Sequence, residues 1–143
     1  MRKTGSARGA AAAFAAWAAV AASSALAAEI DGKSNLVCAA TDAVLCVESA
    51  VCRVGSTRAF ELPEFMYVDF KNKVVRARSS DATTVKVQSP ILNMHTSERS
   101  LVLHGFENDR GWTLSVDRKT ERLSVTVTGG ESTVVVFGFC TAI

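Results

Sequence analysis

Trp112-Thr113-Leu114-Ser115-Val116-Asp117 and Leu123-Ser124-Val125-Thr126-Val127-Thr128, with the polar Arg118-Lys119-Thr120-Glu121 between them, decide the fold. In each run every second residue is apolar. A period of two sends alternate side chains to opposite faces of a sheet, so the pair reads as two strands of one antiparallel hairpin. Gly129-Gly130-Glu131-Ser132 then predicts a further turn. The next run, residues 133–140, carries Val134, Val135, Val136, Phe137 and Phe139 on both faces, which predicts a strand covered on both sides or one that closes a barrel.

The same pattern extends upstream. Met66-Tyr67-Val68-Asp69-Phe70 and Val74-Val75-Arg76-Ala77-Arg78 flank the polar link Lys71-Asn72-Lys73, and residues 83–88 and 100–106 also read as strands. Pro63 and Pro90 read as loop punctuation, because proline removes a ladder donor. Residues 36–47 fit either one long strand bent near Thr41-Asp42 or a short helix, since Ala39, Ala40 and Ala43 favour neither. The expected fold class is all-β: an antiparallel meander of about seven to nine strands curling into a small barrel or sandwich.

The amino terminus follows different rules. Arg2, Lys3 and Arg8 precede an alanine-rich apolar stretch over residues 10–22, and Ala25-Leu26-Ala27 supplies an A-x-A site. That order predicts a secretory signal peptide over residues 1–27, cleaved between Ala27 and Ala28, and a single β-rich domain over residues 28–143. The apolar stretch is about 13 residues against the roughly 20 needed to span a bilayer, and Cys38 does not stand in a lipobox-like setting, so no stable membrane anchor is expected. The expected location is periplasmic or secreted. Of the 16 basic residues three belong to the leader, whereas all 14 acidic residues follow it, which leaves 13 against 14. A near-neutral domain without a basic run has no footprint for a phosphate backbone, so no nucleic acid is expected.

Cys38, Cys46, Cys52 and Cys140 all lie in the domain. An even number in an oxidising compartment reads as two disulfides, and three pairings are open. The preferred one closes the short loop Cys46 to Cys52 and joins Cys38 to Cys140. Metal binding is disfavoured by the lack of a C-x-x-C pair and of any H-x-x-x-H spacing for His95 and His104.

Catalytic chemistry finds few parts. Ser97 and Ser100 lie near His95 without a G-x-S-x-G frame, and His104 alternates with Val102 and Phe106 as a residue on one strand face. Glu107, Asp109 and Arg110 read as a solvated turn, and Asp69 and Asp117 as turn-setting residues. Trp112, Phe65, Phe70, Phe106, Phe137 and Phe139 read as the core itself rather than the lining of a pocket. No catalytic, cofactor-binding or metal residue is therefore assigned. The expectation is a non-enzymatic binding or interaction module whose partner is an envelope protein or a small molecule. A lipocalin-like carrier of a small apolar ligand is the alternative, and an envelope hydrolase a further one.

The C-x7-C-x5-C spacing of Cys38, Cys46 and Cys52, Leu62-Pro63-Glu64-Phe65 with Asp69-Phe70, Gly111-Trp112 with Asp117, and the closing Phe137-Gly138-Phe139-Cys140-Thr141 together resemble a group of small exported β-rich proteins of proteobacteria. The resemblance covers most of the domain. It implies a periplasmic all-β domain and carries no activity, ligand or catalytic residue with it. Periplasmic lysozyme inhibitors share only the architecture, since the S-G-x-x-Y element is missing.

Overall fold

A computed structural model describes residues 28–48, 51–78 and 87–143. The expected signal peptide, with Ala27, lies outside the described residues. Among the described residues nine strands form a single antiparallel sheet: β1 (Leu36–Val47), β2 (Arg53–Ser56), β3 (Phe65–Asp69), β4 (Val74–Arg78), β5 (Val87–Thr96), β6 (Ser100–Glu107), β7 (Arg110–Asp117), β8 (Arg122–Gly129) and β9 (Ser132–Ala142). From β3 to β9 each strand pairs with the next, and β9 pairs back onto β1 from Leu36↔Ala142 to Val47↔Ser132. The result is a closed eight-stranded barrel with β2 added.

The opposite flank of β1 is shared. β3 pairs with its first half and β2 with its second, both antiparallel, so the two behave as one interrupted strand. The interruption is a single 3-10 turn, Arg58–Phe60, followed by Glu61 in the left-handed region at φ 56°. Thr57 anchors it from a buried position, donating its backbone N–H to Thr41 O. Opposite this break β1 carries a bulge between Ala40 and Asp42. The sequence left residues 36–47 open between a bent strand and a helix; the bulge accounts for the bend, because one extra residue shifts the alternation.

Two expectations are corrected. Pro90 is not in a loop but inside β5, opposite Val74. Ile91 donates to Lys73 O, so the adjacent proline nitrogen faces β6, and that ladder begins only at Ile91↔Gly105. No ladder bond is lost, which is the condition for proline in a strand. The strand expected over residues 83–88 lies mostly outside the described residues; β5 runs on to Thr96.

β9 closes the barrel without being covered on both faces: Val136 is buried inside, whereas Phe137 and Phe139 are exposed outside. Phe65 and Phe106 are exposed as well, so of the aromatic residues expected in the core only Trp112 and Phe70 pack against it. Arg122 lies over the Phe139 ring, its guanidinium carbon 6.0 Å from the centroid. Both disulfides form in the preferred connectivity, Cys38–Cys140 and Cys46–Cys52. The first links directly opposed residues of β1 and β9 inside the barrel. Two disulfides fit an oxidising, non-cytoplasmic compartment. No helix among the described residues is long and apolar enough to cross a membrane.

Candidate functional site

The barrel has two unlike ends. At the end holding the β3–β4, β5–β6 and β7–β8 turns, the interior is filled by Leu36, Val68, Leu101, Leu103 and Val116, all fully buried. Ile30 seals this end from below, 2 % exposed, while Ala28 bridges to Ala142. Arg118 holds the segment in place: its guanidinium donates to Ile30 O, Ser97 O and Glu29 Oε1, each at 2.6 Å.

Toward the other end the inward positions carry shorter side chains: Ala77 on β4, Val87 and Ser89 on β5, Val125 and Val127 on β8, Val134 and Val136 on β9. On an eight-stranded wall leucines meet across the axis, but valine and alanine stop short of it. They leave a cavity of about 450 Å³. Met66, Val75 and Leu114 line it from β3, β4 and β7, and Leu62 and Pro63 enter from the linker beside the interrupted strand. The rim is polar, with Glu107, Asn108 and Arg110 of the β6–β7 turn.

Two groups give the apolar cavity its polar features. The Trp112 indole projects inward over Gly105, its opposed residue on β6, where any side chain would overlap the ring. Its Nε1–H donates to Ser89 Oγ at 2.7 Å, so both polar atoms are satisfied. The second group is Glu107. It follows Leu101, Leu103 and Gly105 on the inward face of β6, and its Oε2 is buried with no hydrogen-bond partner. Its register partner Arg110 lines the same rim, yet no ion pair among the described residues joins the two. The stem of Arg110 lies against Gly129 of β8.

Glu107 therefore corrects the solvated-turn reading. Parity was the available signal: 101, 103, 105 and 107 fall on one face, and that face is the interior.

The other expected candidates stay outside the cavity. His95 and His104 are exposed on the outer face, and His104 Nδ1 lies 3.0 Å from Thr113 Oγ1. Ser97 and Ser100 bond each other across the β5–β6 turn, where the Ser100 N–H donates to Ser97 Oγ at 3.0 Å. Among the described residues no cluster of His, Cys, Asp and Glu is able to hold a metal ion.

The carboxylates that set turns all lie at the filled end. The N–H groups of Thr120 and Lys119, which donate to Asp117, hold its pKa down at about 2, with Arg99 adding to them. Asp69 is lowered chiefly by the Asn72 amide and N–H, with Arg76 adding to them. Asp31 is lowered by the N–H groups of Ser34 and Lys33.

No protein-family model matches the chain, and no curated protein matches it either.

Proposed function

We propose that this protein is a non-enzymatic carrier of a small apolar ligand, lipocalin-like in its mode of binding, and that it works in the periplasm or outside the cell. One observation carries the reading: a barrel filled and sealed at one end holds a cavity of about 450 Å³ at the other. That volume lies within the range of small-molecule sites, which are mostly apolar with a few placed polar groups. Burying an apolar ligand there gains roughly 25 cal/mol for each Å² removed from water. The β walls are already in place, so little ordering cost opposes binding.

The test is titration with N-phenyl-1-naphthylamine, a fluorescent apolar probe, against the wild-type protein and the cavity-filling variants Val134→Trp and Val127→Phe. Saturable one-to-one binding that both variants lose supports the carrier. Binding that is absent, or that both folded variants retain unchanged, overturns it.

A second reading, docking of an envelope protein, is favoured by the exposed phenylalanines that flank β1, Phe65 on β3 and Phe137 and Phe139 on β9, of which Phe65 and Phe139 both oppose Ala39. Exposed aromatic patches of this kind mark contact surfaces. Retention of one protein from envelope extract by the wild type but not by the Phe137→Ser/Phe139→Ser variant supports docking; equal retention by both removes it.

A further inference from the structure

Glu107 sits where the cavity meets solvent, the one carboxylate among the described residues that line it. Below it on the same strand face are Gly105, covered by the Trp112 ring, and Leu103, fully buried. The cavity's other interior polar atoms, Ser89 Oγ and Trp112 Nε1, satisfy each other. Among the described residues Glu107 Oε2 alone is a buried side-chain oxygen without a donor. A carboxylate oxygen withdrawn from water and left unbonded is costly, and the cost is recovered when a donor arrives. The nearest cationic side chain by register, Arg110, does not supply one, since no ion pair among the described residues joins it to Glu107.

We propose that the ligand is amphiphilic: an apolar body that fills the valine-lined cavity, and a cationic, hydrogen-bond-donating head, an alkylamine in the simplest case, that bonds Glu107 Oε2 at the mouth. This inference rests on the carrier reading and names its ligand class. The geometry orders the two parts. The tail points toward Met66 and Leu114, and the head stays level with the β6–β7 turn, where it keeps partial access to water. A protonated amine donates to a carboxylate through a short, charge-assisted bond, which in a water-poor setting is among the stronger polar contacts. A hydroxyl head donates too, but without the charge. A carboxylate head has nothing to donate to Glu107 and is repelled by it.

Calorimetric titration of the full chain with 1-decylamine, 1-decanol and decanoate, each below its micellar concentration, separates head from tail because all three share one chain length. The expected order is amine, then alcohol, then decanoate, with the amine at least about tenfold tighter than decanoate. In Glu107→Gln the gap between amine and decanoate collapses. Three probes that bind within twofold of one another, decanoate as the tightest ligand, or an order unchanged in Glu107→Gln would each overturn the head-group assignment while leaving the carrier intact. If none of the three binds, the carrier reading falls, and this inference with it. The wild-type comparison decides the matter even where the variant does not fold.

Discussion

The Trp112 indole lies across Gly105, the residue directly opposed to it on β6, and reaches over that strand to bond Ser89 on β5. One side chain thus ties three consecutive strands together on the cavity side of the wall. The arrangement needs a glycine, because any Cβ at position 105 overlaps both the ring and Pro90 O.

Gly105→Ala therefore displaces the indole. We expect a loss of about 1–3 kcal/mol, typical of overpacking a closed interior. Urea unfolding measures it, and the same variant binds the apolar probe more weakly because the cavity wall has moved.

Ser89→Ala and Trp112→Phe test the bond between the two. Each single change leaves one buried polar atom unmatched or removed, and the double-mutant cycle should return a coupling of about 0.5–1.5 kcal/mol. A coupling near zero means that the indole is held by packing alone.

The disulfides should differ in weight. Cys38 and Cys140 are 102 residues apart in sequence, and Cys46 and Cys52 only 6. Loop-closure entropy gives about 4–5 kcal/mol for the long link and about 2 kcal/mol for the short one. Unfolding of the paired alanine variants, Cys38→Ala/Cys140→Ala and Cys46→Ala/Cys52→Ala, ranks them.

Acid should weaken the filled end. Asp117, Asp69 and Asp31 have folded pKa values below the ordinary value of 3.8, Asp117 at about 2. The unfolded chain takes up these protons first, so their contribution is complete above about pH 4 and is lost as pH falls toward 2. Melting temperature followed from pH 6 to pH 2 should drop in that window. Asp117→Asn, which keeps an acceptor for the Thr120 and Lys119 N–H groups, should flatten the drop.

Arg118 tests the seal. Arg118→Ala deprives Ile30 O and Ser97 O of a charged donor and frees the segment ahead of β1. A loss of about 2–3 kcal/mol is expected. Amide exchange should rise first at residues 28–35 and not in β7 or β8.

The hairpin of β7 and β8 was legible because one face of each strand is interior and the other is not, which writes a strict alternation into residues 112–128. The cysteine pairing was legible from loop economy. Three features were not. Pro90 violates a rule for strands in general, and only the register of its two neighbours shows that no bond is missing. Phe137 and Phe139 have the composition of core residues, yet they alternate with buried Val136, Gly138 and Cys140, and that opposite parity puts them outside. The cavity depends on the height at which each inward residue sits. Strand stagger sets that height, and stagger leaves no trace in a single strand's alternation.

The pairing of β1 with β9 makes the first strand's last partner the final one to be synthesised. Until residues 132–142 emerge, one entire edge of β1 stands open, and most of the wall is a curled ribbon with nothing to close on. Topologies dominated by such distant contacts fold slowly, in milliseconds to seconds. Before residue 140 emerges, Cys38, Cys46 and Cys52 are close together in the chain while Cys140 is still absent, so Cys38 has only wrong partners within reach. The native link can then arise either by waiting as a free thiol or by exchange out of a misbridged intermediate. A barrel stapled from end to end thus carries a timing problem: its most stabilising covalent bond is the one that must form last.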